Sequence, residues 1–413
     1  MKRNGASQYL MLTTTNFSSI GLALITNIII TSLLSESDYG SYKYVLNIII
    51  MIVSLTNLGV YYSTARLLTK SDVDRERALY GATISIMFFI YLVVGIMLFI
   101  VISISNKFTK VTNNELMLAI PLVYTIMFQR TFMYMLKGSN KIFDMCIQTI
   151  MPQMILIIVY VVIALCGLKT ISFENAIFIY AISFSLTHIF TILRLKVVIN
   201  KRTIKEIKNI INEQKTNGFE IYKGSLFAVF TADMLNVIIG TISSKSSYGA
   251  YSLALSFSTP IMQIPSIMGI IRFKKNASSE KLDSKEIKVT SIISIICYSV
   301  LNIGLYILFP IIYKGKYEIV PVYTLFLSLG YILHGMGDYL NNFLNSKGRG
   351  KEIKKGSVYC GIVQVLLAYL LVPLYGIPGV IVARIVSSTI YFISMILGYY
   401  KAITIRNVGE SYE

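Results

Sequence analysis

Asn27-Ile28-Ile29-Ile30-Thr31-Ser32-Leu33-Leu34-Ser35-Glu36-Ser37-Asp38-Tyr39-Gly40-Ser41-Tyr42 decides how this chain is read. It joins the end of one apolar run to the start of another through a short polar turn. The same text returns 209 positions later, from Asn236 to Tyr251. Without a gap, Asn27/Asn236, Ile29/Ile238, Ile30/Ile239, Ser35/Ser244, Ser37/Ser246, Tyr39/Tyr248, Gly40/Gly249 and Tyr42/Tyr251 are identical. A second echo, Lys137-Gly138 and Lys347-Gly348, falls at nearly the same offset. An internal repeat fixes architecture before any local reading does. The chain is expected to be two related halves, 1–198 and 221–413, joined by a basic connector at 199–220.

Composition says what solvent the halves face. Of 413 residues, 55% are hydrophobic and only 14% are charged, against about a quarter charged in a soluble domain. One aqueous core cannot hide that much apolar surface. The runs are long enough to cross a bilayer as helices, which needs ~20 apolar residues each, and too continuous for the alternating strands of a barrel. Twelve spans are expected: 10–34, 42–66, 80–104, 116–137, 145–167, 175–198, 221–243, 251–272, 289–312, 321–345, 358–375 and 378–400. Six per half is an even number, so the halves insert in the same orientation, the parallel-repeat pattern of transporters.

The net charge of +18 is a topology signal. With the N-terminus in the cytoplasm, thirty Lys and Arg fall on the inner side and seven outside, Lys43 counted among the seven, with Arg384 inside the last span. Cytoplasmic loops carry such an excess, so both termini are expected in the cytoplasm, with no nucleic acid among the partners. In the connector, Ile204, Ile207, Ile210 and Ile211 alternate with Lys201, Arg202, Lys205 and Lys208. That spacing reads either as a basic amphipathic helix on an anionic leaflet or as a charged tether. Cys146, Cys166, Cys297 and Cys360 sit in apolar runs without paired spacing and read as packing residues. No metal-ligand cluster, P-loop or catalytic carboxylate motif is present. No enzyme, cofactor or metal is expected.

Polar residues inside spans are costly and face a bundle interior or a wet cavity. Asn16, Ser19, Ala23 and Asn27 recur at helical spacing, as do Ser54, Asn57, Tyr61 and Thr64, and His334, Asp338, Asn341 and Asn345. The alternative is that such residues are glue between helices. The ionisable candidates are sharper: Arg130 beside Gln129, Arg384, Asp233 three residues before Asn236, and Asp338 four after His334. Arg66 and Arg272 close the inner ends of spans, where interface anchoring is the plainer role. An arginine in a cavity is a permanent cation with a fork suited to phosphate. A buried carboxylate can take up and release a proton.

These residues and motifs resemble a known family. The hairpin text Leu34 to Tyr42, Asn57-Leu58-Gly59, Leu136-Lys137-Gly138 and Tyr375-Gly376-Ile377-Pro378-Gly379 are similar to those of Wzx-type polysaccharide flippases. These belong to the multidrug/oligosaccharidyl-lipid/polysaccharide exporter superfamily. The resemblance covers the whole chain. It implies an all-α integral membrane protein whose two six-helix lobes form a V-shaped bundle in the cytoplasmic membrane. It implies a substrate, an undecaprenyl-pyrophosphate-linked oligosaccharide, moved to the outer leaflet by alternating access for O-antigen or capsule assembly. Membrane lipids and other polysaccharide assembly proteins would be partners, and the chain would act as a monomer. Arg130 and Arg384 would line a cationic cavity with Arg66 and Arg272 at its mouth. Asn27, Asn236, Asn57 and Gln129 would add polar contacts, and Asp233, Asp338 and His334 would serve ion coupling. A cation-coupled multidrug exporter and a polysaccharide polymerase are the alternatives. Against the first, the first-half spans lack Asp and Glu at mid-depth. Against the second, no large outer loop is present. The count of twelve spans sets the chain apart from lipid II flippases.

Overall fold

The computed structural model describes residues 5–104, 120–167, 170–347 and 349–409. Among them are fourteen α-helices and no strand. In chain order these are α1 (Gly5–Leu33), α2 (Glu36–Thr56), α3 (Val60–Leu68), α4 (Val73–Ile104), α5 (Ile120–Gly138), α6 (Ile142–Leu165) and α7 (Phe173–Leu195). They continue as α8 (Lys201–Glu213), α9 (Phe219–Ile242), α10 (Lys245–Ser278), α11 (Ser284–Tyr313), α12 (Val320–Ser346), α13 (Gly350–Tyr375) and α14 (Ile377–Gly409). In hydrocarbon every backbone group must be satisfied within its own segment, which leaves helices as the economical form. Ten of these helices are long and apolar enough to cross a membrane. On α11, Val300, Ile303 and Tyr306 are at least 60% exposed. Such faces have lipid as their solvent, and the protein is a multi-pass helical membrane protein.

The expected twelve spans differ from this in two ways. The runs 116–137, of which 116–119 lie outside the described residues, and 221–243 correspond to α5 and α9, which are helical but are not among the ten. The continuous span 42–66 is also broken: α2 stops at Thr56 and α3 starts at Val60. The reason lies in Asn57-Leu58-Gly59. The Asn57 side chain donates to Ser54 O (2.7 Å) and accepts from Gly59 N (3.0 Å), replacing helical hydrogen bonds at the joint. Leu58 and Gly59 then take positive φ, 49° and 85°. Apolar periodicity runs through this joint unchanged, so hydropathy alone joins the two helices.

The repeat is visible in the backbone. Ser35 and Ser244 cap α2 and α10, accepting from Asp38 N and Ser247 N. Leu34 N bonds Ile30 O and Ser243 N bonds Ile239 O, each at 2.9 Å. Tyr39 N bonds Ser35 O and Tyr248 N bonds Ser244 O, also each at 2.9 Å. Tyr39 and Tyr248 are both fully buried. A second motif has an equally local cause: Gly376, at φ 61°, is the single residue between α13 and α14.

Contacts divide the chain within α9, into a first unit, Met1–Val237, and a second, Ile238–Glu413. The connector 199–220 packs on the first unit. A capping box between Asn200 and Thr203 starts α8, and Thr203, Glu206 and Ile210 are buried on one face. Arg75 pairs with Glu206 at 3.1 Å. Ile204, with Lys201, Arg202, Lys205 and Lys208, stays exposed. A π-helical turn, Gln214–Gly218, leads into α9 and meets the α2–α3 joint. Gln214 Nε2 donates to Leu58 O (2.8 Å), and Tyr222 donates to Leu55 O. A Cβ on Gly59 would lie 2.4 Å from Gly218 O.

Candidate functional site

Each unit holds a polar cluster on its long helices. In the first unit the elements are α1, α2 and α5. Asn27, near the end of α1, presents its carbonyl oxygen to two donors of α2: Lys43 Nζ at 2.8 Å and the Tyr39 hydroxyl at 3.1 Å. Further along α2, Ser54 donates to Ile50 O (2.7 Å) and accepts from Arg130 Nη1 of α5 (2.7 Å). Ser54 thereby turns a neutral helix surface into a seat for a guanidinium. Arginine carries five N–H donors, and Arg130 spends one on the protein. Tyr61 stacks on Tyr134 beside it, ring centroids 5.1 Å apart. Lys43 and Arg130 have no carboxylate within ion-pair distance among the described residues.

Other sequence candidates of this unit sit elsewhere. Gln129, one residue from Arg130, turns to α6 and donates to Gln148 O (2.9 Å). Asn57 is spent on the α2–α3 joint. Asn236 is half-buried on α9, and Asp233 lies on the same helix with its side chain outside the described residues. Arg66 is paired with Glu213 at 3.0 Å, its own side chain 56% exposed.

The second cluster lies on α12, α13 and α14. The Tyr391 hydroxyl donates to Asp338 Oδ1 (3.0 Å) and accepts from Asn341 Nδ2 (2.8 Å). Its ring stacks on His334, centroids 4.5 Å apart. Arg384 donates to Gln364 Oε1 (3.2 Å) and lies 4.6 Å from the centroid of the Tyr331 ring. Asp338 has no cation within ion-pair distance among the described residues; a neutral hydroxyl is its partner. Two buried nitrogens, His334 Nδ1 and Arg384 Nε, have no hydrogen-bond partner among the described residues. The structure thus brings His334 and Asp338 of α12 against Tyr391 of α14, more than fifty residues further along the chain. Arg272 stands apart, held by Glu286 at 3.3 Å. Among the described residues no group of His, Cys, Asp or Glu could hold a metal ion.

Sequence reasoning misses Lys43, Tyr391 and Gln364. The charge count puts Lys43 in an outer loop, and the structure corrects this: α2 begins at Glu36, two turns earlier. The signal is present, since Tyr39 and Lys43 stand one helical turn apart. His188, also unremarked, is a satisfied core residue; its Nε2 faces Thr125 O (3.0 Å) and its ring packs on Phe132.

Fold and clusters together define a multi-pass helical membrane protein with a polar cluster in each of its two units. The match to known proteins is more particular. A family model described as polysaccharide biosynthesis protein matches residues 6–269, and the chain belongs to that family. No curated protein sequence matches it. Among solved structures, the lipid II flippase MurJ in an inward closed conformation is similar over 96% of this chain and 90% of its own, with TM-score 0.71 and 13% identity. An inward-facing multidrug resistance MATE family transporter of the MOP superfamily covers 94% and 96%, with TM-score 0.65 and 14% identity. The MATE multidrug transporter DinF-BH covers 97% and 96%, with TM-score 0.59 and 14% identity. The fold of this superfamily is therefore that of the chain, and the lipid II flippase, set apart by span count, shares it.

Proposed function

We propose that the chain is a flippase for undecaprenyl-pyrophosphate-linked oligosaccharide, moving it across the cytoplasmic membrane by alternating access for surface polysaccharide assembly. The observation that carries this reading is Arg130. It is a permanent cation on α5, which in this reading lies within the bilayer with the spanning helices around it, and it is seated by one hydrogen bond to Ser54. Its other donors are not sealed in the protein, whereas Arg384 Nε is. An arginine fork with donors to spare fits a pyrophosphate, to which it can bond in bidentate fashion. A hydrophobic cationic drug would be repelled there.

The physical task fits the same chemistry. A pyrophosphate–sugar headgroup cannot cross ~30 Å of hydrocarbon unaided, because leaving water costs its charge tens of kcal/mol. Arg130 replaces part of that hydration while the prenyl tail stays in lipid. Asp338, His334 and Tyr391 form a separate carboxylate-containing group suited to ion coupling, with Arg384 seated beside it on Gln364 and Tyr331.

The test is deletion of the gene, with lipid extracts and surface glycan compared. Loss of surface polymer with accumulation of undecaprenyl-linked repeat units on the cytoplasmic side supports the flippase. Normal glycan with raised sensitivity to cationic dyes would select the multidrug exporter instead.

A further inference from the structure

Lys43 has no role in the mechanism so far, yet a lysine on a spanning helix needs a reason. Its ammonium has three donors and one partner, the carbonyl oxygen of Asn27 at 2.8 Å. The Tyr39 ring lies 5.3 Å away. Both neighbours are neutral: a dipole and an aromatic face lower the cost of the charge and leave the charge in place. Structural cations of this unit are treated differently. Arg75 is paired with Glu206, Lys141 with Glu76 and Arg194 with Asp144.

Position adds a second argument. On α2, residues 43, 47, 50 and 54 recur at helical spacing, so Lys43, Asn47 and Ser54 share one face. Lys43 and Ser54 are separated by roughly 16 Å of helix axis. Ser54 is the seat of Arg130. One polar face of α2 therefore meets two cations, its own Lys43 and Arg130 of α5, farther apart than one diphosphate group reaches.

The repeat supplies a third argument. In the second half the scaffold of the hairpin is kept, with Asn236, Ser244 and Tyr248 in place of Asn27, Ser35 and Tyr39. The position of Lys43 is taken by Ser252. The hairpin folds without a lysine there, so the lysine is not required by local structure.

We propose that Lys43 is a second anion station, which takes the diphosphate of a prenyl-linked substrate in turn with Arg130 along the polar face of α2. The proposal rests on the flippase reading and adds a residue and an order to it. The ligand class is a prenyl diphosphate, recognised by its charge and not by its sugar.

The test uses the full-length protein in lipid nanodiscs, titrated with undecaprenyl pyrophosphate and, separately, with undecaprenol. Arg130→Gln leaves one station, and this variant should still prefer the pyrophosphate by roughly tenfold, the scale of one charge-assisted contact. Adding Lys43→Met should abolish that preference, and adding Lys43→Arg should keep it. Adding Asn27→Asp should also abolish it, because a carboxylate at 27 would pair the lysine; this variant keeps every other contact and guards against misfolding in Lys43→Met. Preference that survives both Lys43→Met and Asn27→Asp overturns the station, as does an Arg130→Gln protein with no preference at all, and both leave the flippase reading standing if the wild type prefers pyrophosphate. A wild type that binds the two lipids equally overturns both.

Discussion

The two units share a hairpin and differ in what they put on it. Ser35 and Ser244, Tyr39 and Tyr248 hold corresponding places, and the capping bonds match. The polar groups differ in kind: of the two clusters, the second alone holds a carboxylate. The first unit carries Lys43 and Arg130 with no carboxylate in ion-pair distance among the described residues; the second carries Asp338 under the Tyr391 hydroxyl and Arg384 folded onto Gln364 and Tyr331. Unpaired charge inside a membrane protein is expensive, so each sign points to a different task. The cations suit an anionic substrate. The carboxylate suits a proton or sodium ion.

The sharpest way to break this comparison is at Arg130. Arg130→Ala removes the fork, and charge-assisted hydrogen bonds of about 1.5–3 kcal/mol translate into a loss of transport of roughly 10–100-fold. Surface polysaccharide should fall by that order while the protein remains in the membrane, as read by glycan staining beside an immunoblot. Normal glycan would remove Arg130 from the substrate path.

Much of this is legible in the sequence, for identifiable reasons. The repeat and the helical class rest on length and apolar runs, which act locally. The break at Asn57-Leu58-Gly59 is not, because it turns on two positive φ values and a backbone contact with Gly218, more than 150 residues away. Arg130 and Asp338 can be named from their cost in a span. Their partners cannot: Ser54 and Tyr391 meet them only through packing of α2 on α5 and α14 on α12. Lys43 is hidden by a helix that starts two turns before its hydropathy does.

The second prediction reverses the first unit's result in the other unit. Asp338→Asn keeps the shape of the side chain and removes its charge. Transport should then lose its dependence on an imposed proton or sodium gradient, measured in proteoliposomes, while affinity for the prenyl pyrophosphate changes by less than about threefold. A gradient dependence equal to that of the wild type would remove Asp338 from coupling. If instead Asp338→Asn weakens pyrophosphate binding as Arg130→Ala does, the division of labour between the units is wrong.

Tyr391→Phe tests whether the second cluster is held by that one hydroxyl. Its loss leaves Asp338 without its donor and Asn341 without its acceptor, a change of about 1–3 kcal/mol when a buried polar group loses its partner. The ring, its stacking on His334 and its place in the core with Leu340, Phe343 and Met395 stay. The expected outcome is a shift in the gradient dependence with a melting temperature lower by a few degrees. An unchanged gradient dependence would make Tyr391 a packing residue alone.

The smallest effect is expected where the sequence places two further cations. Arg66 and Arg272, expected at the inner ends of their spans, are each tied to a carboxylate: Glu213 at 3.0 Å and Glu286 at 3.3 Å. An exposed pair of this kind is worth ~0–1 kcal/mol, and its charge is already answered. Arg66→Gln should therefore leave both prenyl pyrophosphate affinity and surface polysaccharide within about twofold of wild type, in contrast to Arg130→Ala on the same unit. A tenfold loss in Arg66→Gln would show that the Glu213 pair opens during transport and that the arginine meets the substrate at the cytoplasmic side. The double variant Arg66→Gln with Glu213→Gln separates these cases. If pairing is the whole role of Arg66, the double variant behaves like the single one; if Glu213 restrains a substrate-binding arginine, Glu213→Gln alone raises pyrophosphate affinity and the double variant loses it.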